Sequence, residues 1–146
     1  MLIRTMTIDD YDRVYALWLS TPGMGLNDKD DSREGIAAYL LRNPTTCFVA
    51  EENGCIVGAI LSGHDGRRGY VSHTAVAGSC QRRGIGTALV QHMLAAMQAQ
   101  GIRKVALLAF SNNEKGNAFW EKQGFTARED LTYRNKALVE LQRIDT

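Results

Sequence analysis

The sequence predicts an α/β (α+β) domain built on a central mixed, mostly antiparallel sheet of about six to seven strands. Short β-prone runs follow one another from residue 46 to residue 76. A long helical repeat then leads into the continuous apolar run Val105-Ala106-Leu107-Leu108-Ala109-Phe110, and glycines or prolines punctuate the joints. A strand reached through a crossover helix lies parallel to its predecessor, whereas strands joined by tight turns lie antiparallel.

Leu2-Ile3-Arg4-Thr5-Met6 reads as a short strand, and Thr7 with Asp10 forms a capping pair for a helix through about Leu19. Tyr11, Val14, Tyr15 and Trp18 share one face of that helix, and Pro22-Gly23-Met24-Gly25 breaks it. A second helix is expected from about Asp31 or Ser32. Its apolar side is Ile36, Ala37, Tyr39, Leu40 and Leu41, and Asn43-Pro44 ends it. Residues 46–51 and 55–61 read as strands joined across Glu52-Asn53-Gly54, where Asn-Gly is a strong hairpin signal.

After the polar, Gly-rich stretch 63–69, Tyr70-Val71-Ser72-His73-Thr74-Ala75-Val76 reads as a fourth strand. From Gly84 or Ile85 a helix runs to about Gln100, with Leu89, Val90, Met93, Leu94 and Met97 at helical spacing and Gly101 as its stop. The apolar run 105–110 is expected to be a central, buried strand parallel to the fourth. A shorter helix spans Asn117 to Gln123, and Phe125-Thr126-Ala127-Arg128 and a run from about Tyr133 to Leu141 are the expected closing strands.

One domain covering residues 1–146 fits this length, with 45% apolar and 23% charged residues. Lys plus Arg total 17 and Asp plus Glu 16, so charge points to neither nucleic acid nor an anionic membrane, and any anion site has to be local. No apolar run is long enough to span a bilayer and the N-terminus has no signal-peptide pattern, so the cytoplasm is the expected location. Cys47, Cys55 and Cys80 are odd in number and lack CxxC spacing; buried or half-buried free thiols are expected, without disulfide or metal.

The joint between the fourth strand and the long helix carries the chemistry. Gly84 and Gly86 bracket Ile85 where that helix starts, and a helix N-terminus offers unpaired N–H groups and partial positive charge. Glycine lets a phosphate approach the backbone, so Arg83 through Thr87 form a candidate pyrophosphate cradle, with formal charge from Arg82 and Arg83. A tight turn packed on the sheet is the ordinary alternative for two glycines so spaced. The chain has neither the third glycine of a dinucleotide fingerprint nor the Gly-Lys-Ser/Thr of a nucleoside-triphosphate loop.

Gln81-Arg82-Arg83-Gly84-Ile85-Gly86 resembles the Arg/Gln-x-x-Gly-x-Gly/Ala loop of the GNAT superfamily of N-acetyltransferases. Thr74-Ala75-Val76 is similar to that family's strand edge before the loop. Asn113 with Ala118-Phe119-Trp120-Glu121-Lys122-Gln123-Gly124-Phe125 resembles its distal segment. The resemblance implies helices on both sheet faces, fourth and fifth strands that splay apart, and acetyl-CoA as cosubstrate with its pyrophosphate on residues 81–87. It also implies pantetheine along Thr74, Ala75 and Val76, with Asn113 and Trp120 in the cofactor region. A backbone N–H in the gap would stabilise the oxyanion formed as an amine attacks the acetyl carbonyl.

The implied function is transfer of acetyl to a primary amine of a small molecule or peptide, by direct attack in a ternary complex. The alternative is an acetyl-CoA-binding module with little turnover. Trp120 carries that alternative, because it stands where the family often has a tyrosine that protonates the departing thiolate, and indole is not a useful acid. Residues 22–31 would form the acceptor loop, whose Asp28, Asp30 and Asp31 suit either a cationic amine or the start of a helix. His73, Tyr133, Tyr70 and Glu34 are the candidates for proton transfer. His73 belongs to a side chain type that titrates near neutrality, with strict alternation facing it away from Ser72 and Thr74; Tyr133 would reach over from the closing hairpin. The resemblance also leaves room for a homodimer.

Overall fold

The computed structural model describes residues 1–144. Five strands stand in the order β1-β2-β3-β4-β5: β1 is Leu2–Thr5, β2 Phe48–Glu52, β3 Cys55–His64, β4 Gly69–Val76 and β5 Val105–Leu107. The first three pairings are antiparallel and β4 pairs with β5 in parallel, as the crossover helix requires. The Asn53-Gly54 turn joins Glu52 to its partner Cys55, and both turn residues have positive φ (51° and 78°), the backbone of a two-residue hairpin.

The helices are α1 (Tyr11–Leu19), α2 (Arg33–Arg42), α3 (Ile85–Ala99) and α4 (Glu114–Lys122). On one sheet face, Val14, Leu17 and Trp18 of α1 and Ile36 and Leu40 of α2 pack on Val49, Ala59, Leu61 and Ala75. On the other, Leu89, Val90, Met93 and Met97 of α3 and Trp120 of α4 cover Phe48, Ala50, Ile60 and Val71. Ser32 caps α2, its hydroxyl accepting the Gly35 N–H at 3.0 Å. Leu41 stands in solvent rather than on the apolar side, because five residues past Ile36 is about 140° around a helix. Cys47 and Cys80 are buried free thiols, burial pushing Cys47 up to about 12, while Cys55 is exposed on the hairpin.

Three expectations need correction. The sheet has five strands among the described residues, not six to seven: 126–128 and 133–141 form none, and their side chains are exposed. Without those neighbours β5 is an edge strand of three residues rather than a buried central strand, and Leu108 and Phe110 face solvent. Strict alternation also fails in β4. Ile60 pairs with Thr74 and Ser62 with Val71, so Ser72 and His73 together oppose Leu61, a β-bulge that turns both side chains to the same face.

Beneath α1 a buried carboxylate ties the helix to the sheet. Asp10 accepts hydrogen bonds from Arg4 at 2.9 and 2.8 Å, from the Thr7 N–H at 2.9 Å and from Arg13 at 2.9 Å. The Arg4 guanidinium holds this carboxyl below the usual carboxylate range against the opposing effect of burial. A depressed pKa stabilises the fold above the unfolded-state value and loses that contribution as pH falls through the folded one. Asp10→Asn is expected to cost about 2 kcal/mol at neutral pH, and urea unfolding across a pH series should find that gap closing below about pH 4.

Candidate active site

Pairing between β4 and β5 stops after three residue pairs, at Val71 with Leu107. Beyond it, β4 from Ser72 to Val76 remains paired to β3 alone, so its N–H and C=O groups on the other edge are open to an added strand-like ligand. Thr74 lies on this stretch, and its Oγ1 is buried with no hydrogen-bond partner among the described residues. A buried orphan hydroxyl beside an open strand edge fits a ligand that carries amides, as pantetheine does.

At the far end of β4 the chain passes through Gly78–Cys80 into α3. Gly84 caps α3 with φ +79°, and Arg82 also has positive φ (66°), so the loop folds back on itself and leaves the first helical turn uncovered. No side chain caps it, so the N–H groups of Ile85, Gly86 and Thr87 point outward without intrahelical acceptors. A Cβ at Gly84 would meet nothing within 4 Å, which leaves space for an anion against the backbone. The donor set therefore fits the pyrophosphate of acetyl-CoA.

The side chains of this segment have other duties as well. Ile85 and Ala75 are buried in the two cores, and the Ala75 backbone faces its β3 partner Ala59. Gln81 donates to the Val76 carbonyl at 3.3 Å, Arg83 makes a bidentate pair with Glu52 at 3.1 and 2.6 Å, and Thr87 accepts from Gln123 at 3.0 Å. Arg82 is exposed. Gly86 is needed for packing, since a Cβ there would stand 3.1 Å from the Phe119 ring and 3.7 Å from Val76. Asn113 caps α4, its Oδ1 accepting the Gly116 N–H at 3.0 Å. Trp120 is 9% exposed, with Phe119 and Phe125 edge-on against it.

On the α1/α2 side of the opening lies a cavity of about 610 Å³, lined by Gly25, Asn27, Asp30 and Asp31 from the α1–α2 loop, by α2 residues including Tyr39 and Arg42, and by Ser72 and His73. His73 Nε2 stands 2.6 Å from Asp31 Oδ1, and Trp18 lies edge-on to the imidazole at 4.9 Å. Asp31 is 5% exposed; its Oδ2 accepts the Asn27 N–H at 2.8 Å, and its carbonyl accepts the Tyr11 hydroxyl at 2.6 Å. Desolvation raises the Tyr39 pKa well above its ordinary value, so this wall keeps a neutral phenol. Sequence reasoning placed His73 here but missed Asp31 as its partner, 42 residues away, because nothing in the spacing marks such a pair.

Tyr133 is on the exposed stretch after β5 and α4, with Asn135 Nδ2 donating to its hydroxyl at 3.2 Å; without a closing hairpin, nothing carries it toward His73. Glu34 is exposed on α2 outside the cavity lining, and Tyr70 is exposed where β4 still pairs with β5. Asp28 binds the Gln142 N–H at 2.7 Å rather than the start of α2. Among the described residues no three His, Cys, Asp or Glu side chains gather to hold a metal, and no helix is long and apolar enough to cross a membrane.

A model of the acetyltransferase (GNAT) family matches residues 11–125. An acetyltransferase of Sodalis glossinidius is 30% identical over 142 residues, covering 97% of this chain and 99% of its own length. Another from Pectobacterium atrosepticum is 31% identical over 140 residues, 96% and 97% of the two chains. The PaiA N-acetyltransferase of Thermoplasma acidophilum, solved with coenzyme A, superposes with a TM-score of 0.77 at 16% identity, over 88% of this chain and 91% of that one. The chain belongs to the GNAT acetyltransferase family, and its reaction class is acetyl-CoA-dependent acyl transfer.

Because Gly86 serves α3–α4 packing as well as the loop, Gly86→Glu is expected to cost about 1–3 kcal/mol and lower the melting temperature by a few degrees. Thermal denaturation without ligand measures this separately from any loss of coenzyme A affinity.

Proposed function

We propose that this protein moves the acetyl group of acetyl-CoA to a primary amine of a small molecule or peptide, by direct attack in a ternary complex, with His73 as the base. The observation that carries the proposal is the 2.6 Å contact between His73 and Asp31 in the wall of a cavity beside the open edge of β4. The bare α3 N-terminus, with Arg82 beside it, supports binding of the pyrophosphate. Thr74 and Val76 supply strand-edge groups for the pantetheine amides, with Ala75 between them held to β3, and the Asn113 Nδ2 is left for the cosubstrate once Oδ1 has capped α4.

When bound, acetyl-CoA supplies a thioester carbonyl activated toward amines. An alkylamine arrives protonated at neutral pH and has to give up that proton before its nitrogen can attack. A carboxylate accepting from Nε2 keeps the imidazole proton there, leaving Nδ1 as the nitrogen that takes the proton from the amine. Asp31 then stabilises the imidazolium, so it acts as a positioning residue through His73. The carboxylates of Asp30 and Asp31 also favour a cationic acceptor at this wall. Trp120 has no acidic proton to offer the departing thiolate, whose proton has to come from another group or from water.

Thiol release measured against a broad panel of amines, polyamines and peptides tests the activity. Coenzyme A binding without release across that panel would instead support the binding module that Trp120 suggests. With an acceptor in hand, His73→Ala is expected to lower kcat/KM by about a hundredfold and flatten the pH–rate profile near neutrality. An unaltered profile would return His73 to a packing role. Asp31→Asn should keep coenzyme A affinity while displacing the inflection of the profile.

A further inference from the structure

The cavity that holds His73 has a charge at its other end that proton transfer does not use. One face of α2 forms its long wall. Gly35, Ala38, Tyr39 and Arg42 recur at intervals of three and four, the spacing that brings side chains to one side of a helix. Residues 35 and 42 are seven apart, about 10 Å of helix. Arg42 makes no hydrogen bond or ion pair among the described residues, so a guanidinium stands in this wall without an anion.

The opposite end is acidic. A Cβ at Gly35 would strike the Lys29 and Asp30 carbonyls, so glycine there lets the α1–α2 loop close onto the first turn of α2 and bring Asp30 and Asp31 to the wall. Asp30 accepts from Asn27 Nδ2 at 2.9 Å, while Asp31 meets the Asn27 N–H and His73. Lys29 and Arg33, the cations next to them in sequence, pair instead with Asp28 and Asp12. Between the two ends the lining is Ile36, Ala38 and Leu61, with the neutral phenol of Tyr39.

We infer, on the reading of this cavity as the acceptor site, that the acceptor is a small molecule with an anionic group at the far end of a short chain from its reacting amine, and that Arg42 binds that group. The anion is a carboxylate or a phosphate, either of which matches the planar fork of a guanidinium. An α-amino acid carries both charges on one carbon and is too short to meet Arg42 and Asp31 together; several methylene groups have to separate them. A cation in the last turn also suits the dipole of α2. The dipole does not account for that cation sharing the cavity face with Gly35, Ala38 and Tyr39.

Such a wall sorts amines by what they carry at the end that does not react. A diamine sets a second positive charge against Arg42, and a plain alkylamine leaves the guanidinium without a partner. The transfer itself is the same for all of them. An N–C bond forms at the acetyl carbon as the C–S bond breaks; of the two protons the ammonium gives up, one ends on the sulfur and the other reaches solvent through His73.

Acceptors of one chain length that differ only at the far end test this: ω-amino carboxylates, ω-aminoalkyl phosphates, alkylamines and diamines. The anion-bearing chains are expected to have kcat/KM about tenfold or more above the alkylamines, with diamines lowest, and the carboxylate and phosphate arms tell the two anions apart. Arg42→Ala should abolish the preference, Arg42→Glu should turn it toward diamines and Arg42→Lys should keep part of it, with circular dichroism checking the fold of each. Calorimetric titration of the same compounds into the protein with coenzyme A bound reads the anchor without turnover. Anion-dependent binding that Arg42→Ala abolishes, with no acetylation, would support the anchor and overturn the transferase reading. Acetylation indifferent to the far end, or a preference that survives Arg42→Ala, would overturn the anchor and leave the transferase standing. Absence of binding by every anion-bearing amine would overturn the anchor as well.

Discussion

The three-residue limit on pairing between β4 and β5 is the constraint on which the rest of this molecule depends. A parallel pair joined through a 15-residue helix brings that helix's N-terminus to the end of β4. Because the strands part after Val71 and Leu107, the helix end, the open β4 edge and the cavity lined by His73 become parts of one opening. Continued pairing would satisfy the β4 backbone internally and remove the edge on which an amide-bearing ligand can dock.

The two sides of the opening differ in chemistry. The α3 side offers backbone donors and the exposed Arg82, suited to phosphate, with little acid besides Glu52, which is occupied by Arg83. The α1/α2 side gathers Asp30, Asp31, His73 and Tyr39, suited to a cation and to moving its proton. α1 and the loop after it set this second side through Trp18 against the imidazole and Tyr11 on the Asp31 carbonyl.

Much of the architecture was legible wherever the signal is local. Asn53-Gly54 fixed a hairpin, Ser32 a helix start, and the spacing of Leu89, Val90, Met93 and Met97 a buried helical face. The start of α3 at Gly84 was legible for the same reason. Three features were not. The Asp31–His73 pair joins positions 42 apart, and nothing local to either marks the other. The β4 bulge depends on how β3 pairs with it, whereas alternation is read from one strand alone. The segment after Phe125 has β-type residues, but β-propensity reflects packing against neighbours, and residues 126–139 pair with no strand among those described.

The two glycines of the loop divide two demands, Gly84 leaving open space beside the helix start and Gly86 admitting the Phe119 ring. The bulge in β4 does something less visible. Between Val71 and Ala75 the strand is one residue longer than the count along β3 requires, and that extra residue changes the phase of everything after it. What faces the cavity is therefore set by length as much as by residue type. A chain that lacked Thr74 would keep its histidine and turn it toward α3, whereas one that lacked Ser72 would keep it on the cavity side, so a comparison of related sequences has to align the gap before it can align the chemistry.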